Sequence, residues 1–113
     1  MARYLVSIHH PDDYDPFAVE DEAMSRDIDI LNEAMIAAGV RLFVGGLNPA
    51  REAKSISVLP GGEVQVDDGP YLKTGEHVGG FWVLEAADMG EAVEWGRRAA
   101  VACRAPVEVR QFH

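Results

Sequence analysis

Asp68-Gly69-Pro70-Tyr71 is the stretch whose residue types and spacing best suit chemistry. A carboxylate held by a Gly-Pro turn at a cavity mouth can work as a general base, and it can equally serve as an acceptor for turn amides. Gly69 and Pro70 fix the turn in both cases. Tyr71 adds a phenol donor to a ring that also packs. His77 follows in the run Thr74-Gly75-Glu76-His77 and offers Asp68 a proton-transfer partner, or else caps the next strand. His9 and His10 are adjacent, so on a strand they point to opposite faces and only one can enter a given pocket. An imidazole with an ordinary pKa of about 6.5 exchanges protons near neutrality. Ser7 shares the parity of His9, and both would meet Arg41 if its strand lay alongside. Arg41 and Arg110 are candidate anchors for a ligand carboxylate, since a guanidinium presents a planar fork of donors; ion pairing with Glu108 or a subunit contact is the alternative use.

Other chemistries find less support. No HxH or HxxxH spacing occurs, His9 and His10 diverge, and Cys103 is the only cysteine, so no metal site is expected. Neither a GxGxxG nor a GxxxxGK element is present, and no cofactor is expected. Cys103 sits among small apolar neighbours in AAVACRAP, the setting of a packed thiol rather than a nucleophile.

The elements that must position these groups follow from periodicity. Residues 3–8, RYLVSI, read as a strand, and HHPDDYDP as a loop. From about Phe17 a helix is predicted, with Met24, Ile28, Leu31, Met35 and Ala38 on one stripe and Gly39 as its stop. Glu20, Asp21, Asp27, Asp29 and Glu33 fill its polar side. Val40 to Leu47 is a second strand. KSISVL and VQV, joined by Pro60-Gly61-Gly62, form a hairpin by turn chemistry. VGGFWVLEA is an apolar strand, and Asp88 with Glu91 starts a helix over Met89 to Cys103. The small residues Ala92, Gly96, Ala99 and Ala100 allow that helix close to a sheet. VEVRQF is the last strand.

This order predicts an α+β, ferredoxin-like βαββαβ fold with an inserted β-hairpin: an antiparallel sheet with two helices on one face. Phe43, Phe81, Val83 and Phe112 fall on the alternate parity and leave the other face apolar. Homodimerisation through that face is the simplest cover.

Composition sets the outer bounds. A chain of 113 residues is the size of one domain, spanning residues 1–113. Lys and Arg number 10 against 19 Asp and Glu, and the resulting charge of −9 repels nucleic-acid phosphates and anionic membranes. The longest apolar runs fall far short of the ~20 residues needed to span a bilayer. With MARYLVSIHHPDD lacking a signal-peptide core and one unpaired cysteine, a cytoplasmic location is expected. The partners expected are a second copy of the chain and a small-molecule ligand.

The segment DDGPYLKTGEHVGGFWVLEAADMGEAVEWGRRAA resembles the DGPF subgroup of the YCII-related family, whose pattern is an Asp-Gly-Pro-aromatic loop, a polar stretch with Thr and Glu, and a Gly-Gly-aromatic strand. The matching residues are Asp68, Gly69, Pro70, Tyr71, Thr74, Glu76, Gly79, Gly80 and Phe81. AAGVRLFVGGLNPA and VEVR extend the resemblance over essentially the whole chain. It implies a dimeric ferredoxin-like α/β barrel, as in muconolactone isomerases and small cofactor-free monooxygenases. For the broader family it implies a pocket His and Asp pair, with the His on the first helix. This chain has no His between residues 11 and 76. Lys73 stands where the subgroup usually has an acid, and Gly75 where it has a Lys. Two function classes follow: a cofactor-independent acid-base enzyme (lyase, isomerase or hydrolase) using Asp68 with His9 or His77, and a non-catalytic ligand-binding or interaction module.

Overall fold

The computed structural model describes residues 1–113. Its main sheet contains β1 (Ala2–Pro11), β2 (Arg41–Gly46), β5 (Glu76–Ala86) and β6 (Val107–Gln111), in the order β2-β5-β1-β6. Every neighbouring pair is antiparallel. β3 (Lys54–Val58) and β4 (Val64–Asp68) pair with each other as a separate two-stranded sheet. The helices are α1 (Pro16–Val19), α2 (Glu22–Ala37) and α3 (Met89–Cys103), with a 3-10 turn at Ala50–Glu52. This mixed α+β arrangement is consistent with a ferredoxin-like fold.

β1 and β5 alternate, and their inward residues make the core. Tyr4, Val6, Ile8, Trp82, Leu84 and Ala86 are buried under α2 and α3. Val6, Ile8, Trp82 and Leu84 cluster with Leu31 and Met35 of α2 and Ala99, Ala102 and Cys103 of α3, while Tyr4 and Ala86 cluster with Ala92 of α3. α3 lies close to the sheet because Gly96 has no side chain: a Cβ there would stand 2.6 Å from Val109 Cγ2. Its start is the capping pair read from the sequence. Asp88 Oδ1 accepts from the Glu91 amide at 2.8 Å, and Glu91 Oε2 accepts from the Ala87 amide at 2.9 Å. Gly39, at φ +72°, ends the α2 segment in the left-handed conformation that glycine adopts freely.

Two boundaries differ from the periodicity. The helix expected from Phe17 is divided: Asp15 caps α1 through the Phe17 amide, Glu20 is extended, and Asp21 caps α2 through the Met24 amide at 2.8 Å. Two N-capping aspartates in quick succession outweigh a continuous stripe, so Glu20 belongs to a corner rather than a helix face. β1 also runs on to Pro11, pairing there with Glu76, where His-His-Pro-Asp reads as a loop.

The close approach of α3 to β6 at Gly96 gives a test of packing. Gly96→Ala is expected to lower unfolding stability by ~1–3 kcal/mol, the usual cost of overpacking. Urea denaturation should show a lower midpoint with an unchanged m-value.

Candidate functional site

Two adjoining clefts open where β1, β5 and β2 end beneath the residue 11–21 segment. The larger, about 260 Å³, is walled by His10, Asp12, Tyr14, Glu20, the Gly46–Ala50 segment and His77–Gly79. The smaller, about 170 Å³, runs inward between α2 and the sheet past Met24, Ile28, Asn32 and Trp82. His10, Tyr14, Glu20, Gly46 and Gly79 border both.

His10 continues the inward parity of Val6 and Ile8, so it faces the helix side. The β1–β5 register slips between Ile8, opposite Gly80, and His9, opposite Val78, leaving Gly79 as the extra residue of a bulge. The imidazole occupies the space above Gly79: a Cβ at that position would be 2.1 Å from His10 Cδ2. Tyr14 stacks on the imidazole at 3.8 Å between centroids and an interplanar angle of 16°. The Tyr14 hydroxyl donates to Glu20 Oε2 at 2.8 Å. Burial and that bond to a carboxylate both favour the neutral phenol and push its pKa up. Burial pulls the His10 pKa below 6.5, against a raising effect of Glu20, with His9 lowering it further. The neutral imidazole is thereby favoured, and the His10 ring nitrogens carry no intrachain hydrogen bond or ion pair, unlike those of His77.

His77 is built in the opposite way. Its Nδ1 lies 2.6 Å from Asp12 Oδ1 and its Nε2 2.8 Å from the Leu72 carbonyl, so two acceptors face the ring and the imidazolium is favoured. The Asp12 bond, then the Leu72 carbonyl, raise its pKa. The pair ties the end of β1 to the segment that enters β5.

The remaining sequence candidates are dispersed. Asp68 is exposed and pairs with Lys54, directly opposite it in the β3–β4 ladder. Gly69, at φ +97°, donates its amide to the Ala53 carbonyl at 2.7 Å, and its carbonyl accepts from Ser55 Oγ at 2.6 Å. The Pro70 carbonyl takes Lys73 Nζ, and Tyr71 is exposed. The DGPY loop thus clasps the base of the hairpin, and Asp68 and His77 are not in hydrogen-bond contact. Ser7 donates to the Glu108 carbonyl, and His9 stands 3.8 Å from Glu108, both on the sheet face away from the helices. Arg41 does not join them, because β5 lies between β1 and β2; its Nη1 donates to Asn32 Oδ1 at 3.1 Å on the helix side. Arg110 has no ion pair within the chain. Cys103 is buried, and burial pushes its thiol up to about 11. No three His, Cys, Asp or Glu side chains gather so as to hold a metal ion.

Residues 3–112 match the profile of the YCII-related domain. The chain belongs to the YCII-related family. An uncharacterised protein of Rhizobium meliloti (strain 1021) is 32% identical over 78 residues, 69% of this chain. The chain spans 62% of the length of that relative. No helix of this YCII-related chain is long and apolar enough to cross a membrane.

Sequence reasoning weighed His10 only as one of a strand-end pair and missed Tyr14 and Glu20 as partners. The available signal was parity: His10 falls in register with Val6 and Ile8, the residues that any helix-covered face would claim.

The two histidines should titrate on opposite sides of 6.5 in an NMR titration of their ring protons, His77 above and His10 below. Asp12→Asn should bring His77 back toward 6.5 and leave His10 in place. Gly79→Ala should expel the His10 ring and raise its midpoint. For stability, the His77 contribution is present in full below its unfolded pKa and is lost as pH rises through its raised folded value. The His10 contribution is present above the unfolded pKa and is lost as pH falls through its lowered folded value.

Proposed function

We propose that this YCII-related chain binds a small metabolite in the cleft between α2 and the ends of β1, β2 and β5, with His10 as the proton-accepting group. One observation carries the reading: the His10 ring, its nitrogens without a partner in the chain, is packed in place by Tyr14 and Gly79 on the wall of a cavity. A cavity of this size lies below the ~300–1,000 Å³ typical of drug-sized ligands, so the ligand is small. Pro11, Pro16, Leu47, Pro49 and Val78 supply apolar wall, and His10, Asp12, Tyr14, Glu20, Asn48 and His77 the polar groups.

Cofactor-independent acid-base catalysis is the second reading, favoured by the same neutral base. His10 takes the role that the sequence suggested for His9 or His77, because His77 is already held by two acceptors. Asp68, Gly69, Pro70 and Tyr71 shape the loop at the hairpin base, which is the reason for placing the chain in the DGPF subgroup.

A homodimer completes the proposal, together with the α/β barrel that the family resemblance implies. The sheet face away from the helices carries Leu5, Phe43, Phe81 and Val83; Phe43 is 57% exposed and stacks on Phe81 with centroids 5.8 Å apart. The same face carries Arg3, Glu85, Glu108 and Arg110, charges of both signs that a two-fold axis can bring into register. A second copy is therefore a better fit than a partner of one charge.

Saturation-transfer NMR with a set of small neutral, cationic and anionic metabolites tests the cleft. Ligands found should shift the signals of His10, Tyr14 and Gly79, and His10→Gln should weaken them about tenfold or more, which is ~1.4 kcal/mol. Catalysis by His10 would add deuterium exchange into a bound ligand that His10→Gln abolishes. Ligands that map only to the sheet face would overturn the site. Light scattering should give twice 12.3 kDa for the wild type and a monomer for Phe43→Asp.

A further inference from the structure

The ionisable groups around the cleft do not balance. Asp12 and His77 satisfy each other at 2.6 Å. His10 is neutral, and the Tyr14 phenol keeps its proton in a bond to Glu20. Glu20 has no ion pair with any Lys, Arg or His. No Lys or Arg lines either cleft. The basic residues that might have reached in are engaged elsewhere: Arg41 on Asn32, Arg104 on Asp27, Lys54 on Asp68 and Lys73 on the Pro70 carbonyl. The cleft therefore holds one carboxylate with no cationic partner in the chain, beside apolar wall from Leu47, Pro49 and Val78 and the ring of Tyr14.

Such a wall disfavours an anion. Its lining carries no Lys or Arg to meet the charge, and the Glu20 carboxylate repels it. A neutral molecule would leave the charge unanswered. An organic cation bearing N–H groups answers both, because Glu20 offers an ion pair and the lone pair of neutral His10 accepts a hydrogen bond. The Tyr14 ring, stacked with His10, adds an aromatic surface of the kind that attracts cations. The net charge of −9 favours the approach of cations over a longer range.

The geometry points to a small organic amine, bound as its ammonium ion with the nitrogen between Glu20 and His10 and the carbon part along the apolar wall, as the ligand class of this cleft. The inference rests on the reading of the cleft as a ligand site, and it replaces the carboxylate ligand that Arg41 and Arg110 suggested from sequence.

Three probes of one shape separate the charges: benzylamine, benzyl alcohol and benzoate, each titrated at neutral pH into the wild type and into Glu20→Gln. The readouts are the backbone amide signals and the His10 and Tyr14 ring signals. Benzylamine should bind at the His10 and Tyr14 signals at least tenfold more tightly than either other probe. Glu20→Gln should remove that preference while benzyl alcohol still binds and the amide signals away from the 11–21 segment stay in place, since a Gln carbonyl still accepts the Tyr14 hydroxyl. Equal binding of benzylamine and benzyl alcohol in the cleft, or a preference that survives Glu20→Gln, overturns the amine assignment and leaves the cleft intact. Tighter binding of benzoate does the same. If none of the three moves the His10 or Tyr14 signals, the amine assignment fails together with the ligand site on which it rests.

Discussion

The β1–β5 ladder is the constraint on which the rest of the structure depends. These two strands are the inner pair of the main sheet, matched from Ala2 with Ala86 to Pro11 with Glu76. Because both have neighbours on each side, their backbone groups are committed along most of their length, and their alternation decides which side chains face the helices. One face then collects Tyr4, Val6, Ile8, Trp82 and Leu84, and α2 and α3 have a single apolar surface to cover. The only irregularity in the ladder, at Gly79, is also where the cleft begins. A register slip there costs pairing but makes room for an imidazole beside the backbone, which a regular ladder with a side chain at that position would refuse.

Polar groups under the helices are matched with the same economy. Asn32 accepts from both Trp82 Nε1 at 2.9 Å and Arg41 Nη1 at 3.1 Å, and donates to the Ile28 carbonyl at 3.1 Å. One amide thereby satisfies a buried indole and holds a guanidinium against α2, and no buried side-chain nitrogen or oxygen is left without a partner. The unpaired nitrogens of His10 stand out against this background. Since no buried polar atom is unsatisfied, those nitrogens reach solvent, and a basic group left open on a cavity wall takes its partner from whatever enters there.

Much of the architecture was legible in the sequence because it rests on local rules. The capping pair of Asp88 and Glu91, the glycine stop at Gly39, the close approach at Gly96 and the burial of Cys103 each follow from one or two residues and their neighbours. The site was less legible, because it depends on which strand lies next to which. Arg41 was expected beside Ser7 and His9, and the chain order alone does not reveal that β5 enters between them. Asp68 and His77 are close in sequence, yet the ladder draws one toward Lys54 while the bulged strand turns the other toward Asp12. Such pairings are decided by tertiary register, and spacing carries no information about them.

The division of the first helix shows how a small local choice reaches the chemistry. Had the helix begun at Phe17, Glu20 would have sat on a solvated helical face among other acids. The caps at Asp15 and Asp21 instead leave Glu20 extended between two helices, at a corner that folds over the end of the sheet. There its carboxylate meets the Tyr14 hydroxyl, Tyr14 meets His10, and His10 rests on Gly79. Each link in that series requires the previous one: without the corner the phenol has no acceptor, without the phenol's ring the imidazole has one open face, and without the missing Cβ the imidazole has no seat. A chain of dependent contacts of this kind restricts the orientation of His10 in the free protein, so that the ligand proposed for the cleft would meet a base already in position.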